Sequence, residues 1–113
     1  MCSQSVLNEI TGKVVQAARD SLGDRLDKVI LYGSYARGDH DDESDIDIMV
    51  LADIQREDCW SEYMKVSKLT GDLSLAYDVL VSIHVADCAT FYQYAGDLPF
   101  YVNVLKDGVT LSA

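Results

Sequence analysis

The sequence predicts an α/β or α+β fold, in which helices pack on a single β-sheet. Segments with helical periodicity alternate along the chain with short apolar runs of strand composition. Apolar residues make up 49% of the chain and charged residues 25%, as in ordinary globular domains. A chain of 113 residues is long enough for one domain of ordinary size, so we expect residues 1–113 to form a single domain.

The first half of the chain predicts one helix and two strands. Apolar residues recur at steps of three and four from Val6 to Leu22, a spacing typical of an amphipathic helix, and Gly23 ends it. The apolar run 29–32 predicts a strand that ends at a glycine and a serine. After a polar stretch, residues 45–51 predict the second strand.

The second half predicts helices around one further strand. Its elements are a helix over 54–69, a strand over 78–85, a short helix from an N-cap at Asp87 to Tyr94, and a last helix from Pro99 to about Lys106. Gly71 is expected to break the first of these helices, and residues 109–112 form a short tail. His84, inside the apolar strand, is expected to be a core histidine rather than a ligand.

The charge of the chain limits its partners. There are 19 acidic and 9 basic residues, for a net charge of −10. A protein that binds nucleic acid along a groove needs clustered Lys and Arg, so direct nucleic-acid binding is not expected. No apolar run approaches the roughly 20 residues that span a bilayer, and residues 1–10 lack the features of a signal peptide. We therefore expect a cytoplasmic protein with no membrane partner.

Two carboxylates and a glycine carry the chemical signal. Asp45 and Asp47 lie two residues apart on a predicted strand, so their side chains share one face and repel each other. A divalent cation relieves this repulsion, and Mg²⁺ prefers one or two carboxylates completed by water and phosphate. Upstream, Gly33 and Ser34 follow a strand and open a turn whose backbone N–H groups can bind phosphate.

The joint pattern G-S-x-A-x-G followed by S-D-x-D and an apolar strand resembles the DNA polymerase β-like nucleotidyltransferases. The resemblance is strongest to the minimal nucleotidyltransferases that are paired with HEPN-domain proteins, and it covers most of the chain. It implies a mixed β-sheet flanked by helices, with Mg²⁺ and a nucleotide bound at one sheet edge. In the family, two Mg²⁺ ions assist the attack of a hydroxyl on the α-phosphorus of ATP or a similar triphosphate, and pyrophosphate leaves.

The family also requires a third carboxylate on the next strand. The candidates are Asp72, Asp78 and Asp87, and Asp78 is favoured because it opens the predicted third strand. By resemblance, Asp45, Asp47 and Asp78 are then the catalytic residues and the ligands of the two Mg²⁺ ions. Asp78 would complete the ion that activates the acceptor hydroxyl.

Four residues are expected to bind the nucleotide. The resemblance implies that Gly33 and Ser34 bind the departing phosphates. Arg37 either clamps a phosphate or neutralises the acidic residues at 39–43. Ser44 either adds a hydroxyl contact to the nucleotide or caps the turn before the strand.

The small size of the chain narrows the expected function. Larger members of the family append domains that hold a template, a tRNA or an antibiotic, whereas we expect these 113 residues to form the catalytic core alone. The resemblance therefore implies a protein adenylyltransferase that acts as an antitoxin and transfers AMP from ATP to a tyrosine of a HEPN ribonuclease toxin. The alternatives are an antitoxin that neutralises by complex formation alone and a transferase acting on a small molecule.

Overall fold

The fold is built on a four-stranded mixed β-sheet, seen in a computed structural model that describes residues 3–112. Its strands are β1 (Leu26–Tyr32), β2 (Ile46–Ala52), β3 (Val81–Asp87) and β4 (Val109–Ser112). Their order across the sheet is β3-β2-β1-β4. β1 pairs antiparallel with β2 and with β4, whereas β2 and β3 run parallel. The expected mixed sheet with flanking helices is confirmed.

Helices lie on both faces of the sheet. Within residues 3–112 they are α1 (Gln4–Leu22), α2 (Ser34–Arg37), α3 (Cys59–Tyr77), α4 (Cys88–Tyr94) and α5 (Pro99–Asp107). Single 3₁₀ turns at Gly23–Arg25 and Arg56–Asp58 lead into β1 and α3. In this part of the chain no helix combines the length and apolar character needed to cross a membrane.

Two hydrophobic cores form because successive side chains of a strand point to opposite faces of the sheet. Ile48 and Val50 of β2 are buried with the apolar stripes of α1 and α3 on one face. Met49 and Leu51 are buried on the other face, against α4, α5 and the ring of Phe91. Asp45 and Asp47 belong by alternation to the second face, which carries the smaller core.

The amphipathic helix predicted at the start of the chain is confirmed as α1. Ser3 is its N-cap, and its hydroxyl accepts a hydrogen bond from the backbone N–H of Val6 at 3.2 Å. Gly23 follows the last turn with a positive φ, and its N–H bonds to the carbonyl of Arg19. The buried stripe of α1 covers β1 and β2 and leaves their other face to the site.

The helix expected over 54–69 begins and ends later than predicted. α3 starts at Cys59 and continues through Gly71 to Tyr77, so the prediction that Gly71 breaks the helix is wrong. Glycine costs about 1 kcal/mol within a helix relative to alanine. Burial of Thr70 directly before Gly71 and of Leu73 after it offsets this cost, and the helix continues.

The later end of α3 also moves the start of β3. The strand begins at Val81 rather than at Asp78, and Asp78 is instead the residue that ends α3. It adopts the left-handed conformation with φ 53° and ψ 46°, and its backbone N–H bonds to the carbonyl of Ser74. A short polar side chain is one of the few that tolerate this conformation. The prediction that Asp78 opens the third strand is therefore wrong.

The last part of the chain follows the prediction except at its end. Asp87 caps α4 through a 2.9 Å hydrogen bond from the N–H of Thr90, as expected, and Pro99 lies in the first turn of α5. The tail expected at 109–112 is the strand β4, which pairs with β1. β4 forms because the outer edge of β1 offers it a partner.

Candidate functional site

A backbone turn between β1 and α2 forms the first part of the site. Gly33 has φ 76° and ψ −157°, a conformation that other residues rarely adopt. Its carbonyl accepts hydrogen bonds from the N–H groups of Ala36 and Arg37, both at 3.1 Å. Ser34 therefore opens a single helical turn immediately after the strand, where the sequence predicted it.

The carboxylate of Asp47 lies directly against this turn. Tyr32 and Asp47 are paired residues of β1 and β2, so the strand end that carries Asp47 passes beside Gly33. A Cβ atom placed on Gly33 would overlap Oδ2 of Asp47. Glycine is required here twice, for its backbone conformation and for the space that it leaves to the carboxylate.

The predicted pairing of Asp45 and Asp47 is visible in their electrostatics. The two residues flank the fully buried Ile46, and both are half-buried. Burial raises the pKa of the Asp47 carboxyl, the negative charge of Asp45 raises it further, and Arg37 lowers it. A site that destabilises a carboxylate through a second one is suited to a divalent cation.

The structure does not bring the third predicted carboxylate to this pair. Among residues 3–112 no group of three or more His, Cys, Asp or Glu side chains is arranged to hold a metal ion. Asp78 ends α3, Asp72 is exposed on α3, and Asp87 caps α4 at the far end of β3. The convergence of three aspartates is not found.

The residues present fit one cation better than two. Mg²⁺ is commonly held by one or two protein carboxylates, with water and substrate phosphate completing the shell, and Asp45 with Asp47 meets that requirement. β3 runs parallel to β2, with Ser82 opposite Asp47. The nearest residue before β3 that would lie on that face is Leu80, which precedes the strand. A carboxylate ligand for a second ion is therefore missing from β3 at this level.

Arg37 and Ser44 are both engaged in the local structure. Arg37 donates to Asp39 at 3.2 Å, and its guanidinium lies 3.8 Å from Asp107 of α5. The hydroxyl of Ser44 accepts from the N–H of Asp41 at 2.9 Å and donates to its carboxylate at 3.2 Å. For Arg37 these contacts correspond to the predicted neutralisation of neighbouring acidic residues. For Ser44 they correspond to the predicted cap of the turn before the strand.

Two residues that the sequence did not assign to the site lie beside it. The hydroxyl of Tyr32 is 2.9 Å from Nδ1 of His84, and the ring of Phe100 packs edge-on against both. Burial raises the pKa of Tyr32, and the charge of Asp47 raises it further. The side chain of His84 is exposed, so the prediction that it lies in the core is wrong. Partial burial of its ring lowers its pKa. Ser82 and His84 alternate with apolar residues along β3, and this alternation was the sequence signal that could have predicted the exposure of His84.

Comparison with known proteins identifies the fold that holds this site. The sequence profile of the family described as "Polymerase beta, Nucleotidyltransferase" matches residues 15–111, which include the Gly33 turn and both aspartates. The chain belongs to this family. It is thus a member of the nucleotidyltransferases, as the motif predicted.

Curated relatives come from Methanocaldococcus jannaschii. The nucleotidyltransferase is 33% identical over 97 residues to a protein named "Putative protein adenylyltransferase MJ0604", covering 86% of this chain and 89% of the relative. It is 48% identical over 61 residues to "Putative protein adenylyltransferase MJ0141". That second match covers 54% of this chain and 60% of the length of the relative.

Solved structures share the fold. A crystal structure described as a "putative nucleotidyltransferase from Sulfolobus solfataricus" has a TM-score of 0.61 at 23% identity, covering 96% of this chain and 86% of that chain. A second, titled "Crystal structure of the toxin-antitoxin with AMP-PNP", has a TM-score of 0.54 at 25% identity. That match covers 91% of this chain and 73% of the other.

Proposed function

We propose that this nucleotidyltransferase is a cytoplasmic, Mg²⁺-dependent protein adenylyltransferase that transfers AMP from ATP to a tyrosine of a HEPN-domain toxin and thereby acts as its antitoxin. The observation that carries the proposal is the contact between Gly33 and Asp47, with Asp45 beside it. This contact joins a backbone turn suited to phosphate to a carboxylate pair suited to a cation.

The relatives support the chemical class and the kind of partner. Two proteins that align with this chain bear the name protein adenylyltransferase, and one of the alignments spans most of both chains. A structure with the same fold is a toxin–antitoxin complex that contains AMP-PNP, an analogue of ATP. The acidic charge of −10 disfavours a nucleic acid as the acceptor.

Each residue of the site has a defined part in the proposed reaction. The N–H groups of the Gly33 turn and the hydroxyl of Ser34 bind the departing phosphates, and Asp45 with Asp47 hold the cation. Bound Mg²⁺ would supply positive charge to the entering and leaving oxygens. The acceptor oxygen forms a bond to the α-phosphorus, the bond from the α-phosphorus to the bridging oxygen breaks, and pyrophosphate leaves. The proton of the acceptor hydroxyl passes to solvent water.

Of three further predicted roles, one is left out of the proposal and two are kept in a weaker form. The proposal does not use Asp78, because it ends α3 instead of lying on β3. For Arg37 to clamp a phosphate it must exchange its contacts with Asp39 and Asp107 for that anion. Ser44 supports the turn before β2, which positions Asp45.

The test is a transfer assay on the purified pair. The chain and its cognate HEPN-domain protein are incubated with ATP and Mg²⁺, and the intact mass of the partner is measured. We expect an added AMP with the wild type and none with the variant Asp45→Asn/Asp47→Asn. A matched control, Asp24→Asn/Asp72→Asn, removes the same charge from exposed positions and should transfer normally. No mass gain with a chain that binds ATP would contradict the proposal.

Neutralisation without catalysis is the second candidate, because no group of three metal-ligating side chains is found within residues 3–112. The same variants separate the two functions in cells that express the toxin. If transfer is the function, Asp45→Asn/Asp47→Asn loses protection although it folds and binds the partner. If complex formation is enough, the variant still protects.

A further inference from the structure

β3 leaves one edge of the sheet unpaired. It is the outermost strand beside β2, and the N–H of Ile46 bonds to the carbonyl of Leu80 at 2.9 Å. In a parallel ladder, alternate residues direct both backbone groups to the same neighbour. Leu80 and the residues at 82, 84 and 86 therefore face β2, while Ile83 and Val85 present their N–H and C=O groups to the outside.

A cleft of about 760 Å³ runs along this outer edge. Its lining includes every residue of the chain from 80 to 87, without a gap. Side chains from only one face would contribute alternate residues, so the unbroken series shows that the cleft meets the strand from its edge. Across residues 3–112 no backbone bond other than those of the sheet ladders is made by Ile83 or Val85.

Aromatic side chains form the walls of the cleft. Trp60 and Tyr63 of α3 stack with ring centroids 5.4 Å apart, and Trp60 is 69% exposed. Tyr101 of α5 lines the opposite side. Long apolar side chains flanking an open strand edge are suited to an extended peptide, because the edge offers backbone hydrogen bonds and the walls accept side chains that alternate in direction.

We propose that this edge binds an extended segment of the protein that receives the nucleotide, added to the sheet as a fifth strand beside β3. The inference rests on the proposed function and names how the acceptor is held. β3 has seven residues, so it can pair with a segment of about five or six, close to 20 Å long.

The charges favour an acceptor segment over a second copy of this chain. Two copies would each bring a net charge of −10 to a shared edge, and that repulsion opposes a continuous sheet across them. The net charge of the chain opposes an acidic segment and attracts a basic one, so a neutral or basic segment suits this edge.

The position of the edge relative to the carboxylates favours the acceptor in particular. The Leu80 end of β3 is bonded to Ile46, which lies between Asp45 and Asp47. An added strand lies two strand spacings from β2, or about 10 Å. A tyrosine at the Leu80 end of the segment can extend across part of that distance toward the carboxylate pair.

Hydrogen exchange with a defined peptide tests the binding mode. The probe is a synthetic heptapeptide, Lys-Val-Thr-Val-Thr-Val-Tyr, at millimolar concentration, and amide exchange is followed by NMR. In the free chain we expect rapid exchange at Ile83 and Val85 and slow exchange at Ser82 and His84. The peptide should slow amide exchange at Ile83 and Val85 at least tenfold. The same peptide N-methylated at alternate residues should not slow it. Protection of both amides before peptide is added, or no change after it, overturns the proposal.

A pair of variants at one position links the edge to transfer. Val85→Pro removes the outward N–H and leaves the ladder to β2 intact, since proline is tolerated at strand edges on the unpaired side. Val85→Ala keeps the N–H and loses the same side chain. We expect AMP transfer to the tyrosine of the peptide to fall at least tenfold in kcat/KM with proline and less than twofold with alanine, while both variants keep the ATP binding of the wild type. Because both lose the same half-buried side chain, their Tm values should be lowered alike.

The outcomes separate this inference from the proposed function. If the peptide protects the edge of the wild type but the cognate HEPN-domain protein gains no AMP, the transferase is contradicted and the added strand is supported. Equal transfer by Val85→Pro and Val85→Ala overturns the added strand and leaves the transferase standing.

Discussion

At the scale of single residues, the contact between Gly33 and Asp47 is the tightest constraint on the site. The left-handed backbone at Gly33 and the carboxylate above it both exclude a side chain. Gly38, at the other end of α2, shares the positive φ, at 83°, but has no atom within 4 Å of where its Cβ would lie. Comparing the two glycines therefore separates the effect of backbone strain from the effect of the close approach to Asp47.

Replacing each glycine by alanine tests this distinction. Gly33→Ala is expected to lose about 1–3 kcal/mol of folding free energy and to weaken ATP binding at least tenfold, because the new methyl displaces Asp47. Gly38→Ala should lose about 1 kcal/mol through strain alone and keep its affinity. Urea unfolding and calorimetric titration with ATP and Mg²⁺ measure the two effects. Equal ATP affinities in the two variants would contradict the role of the close approach.

The parts of the site that were predictable depend on local spacing. Gly33 with Ser34, and Asp45 with Asp47, could be read from the sequence because a glycine after a strand and acids two apart have the same geometry in any sheet. The position of Asp78 could not, since it depends on whether α3 stops at Gly71 or continues to Tyr77. The chemical role given to Asp78 stays a prediction, while its placement on the strand is wrong.

At the scale of elements, the length of α3 comes from packing rather than from propensity. A Cβ added at Gly71 would meet no atom within 4 Å, so the site is open to a larger residue. Gly71→Ala should stabilise the fold by about 0.5–1 kcal/mol, measured by urea unfolding. Gly108→Ala is the opposing control, because its Cβ would overlap the carbonyl of Val104 and destabilise the fold. A neutral or destabilising effect at Gly71 would count against this account of α3.

Glu62 ties α3 to the end of α1. Its buried carboxylate accepts a hydrogen bond from Ser21 at 2.6 Å and from Lys65 at 3.1 Å, with Arg25 at 3.9 Å. Burial would raise the pKa of Glu62, but these partners together hold it below its usual value. The ionised form is thus favoured in the folded state, and the junction of the two helices is stabilised by it.

Glu62→Gln should cost about 2 kcal/mol at neutral pH, because a charged hydrogen-bond acceptor is lost from a buried position. A lowered pKa contributes stability above the unfolded value of about 4.3, and this contribution is lost as the pH falls through the folded pKa. The difference between variant and wild type should therefore shrink in acid. Urea unfolding at several pH values measures it, with the exposed Glu57→Gln as the control. A pH-independent difference would contradict the charge as its cause.

Elements with strong local signals were predictable, and those with long-range causes were not. α1 carries its own cap at Ser3 and its own apolar stripe. β4 has four residues and no such signal, and it exists because the edge of β1 is available 80 residues earlier. The same dependence on a distant partner explains why the exposed position of His84 next to Tyr32 was missed.

At the scale of the whole molecule, the acidic charge makes stability depend on cations. Of the 19 acidic residues, six lie at positions 39–47, and they include the two aspartates of the site. A ligand that binds only the folded state stabilises it by about 2.7 kcal/mol at 100 times its Kd. Mg²⁺ with ATP should therefore raise the Tm by several degrees in a thermal melt.

The carboxylate pair determines whether that shift is specific. Asp45→Asn/Asp47→Asn should abolish the increase in Tm, because the proposed ligands of the cation are gone. Asp24→Asn/Asp72→Asn lowers the net charge equally and should retain the increase. If both double variants respond alike, the shift reflects general screening of negative charge and not a site.

The turn at Gly33 and the acids at the start of β2 lie at the two ends of one connection, residues 33–45, between neighbouring antiparallel strands. A bound nucleotide and cation that contact both ends would link the two ends of this polar loop. Ligand binding should therefore reduce the motion of the acidic residues at 39–43, which contact no ligand themselves, because both ends of their loop are then fixed.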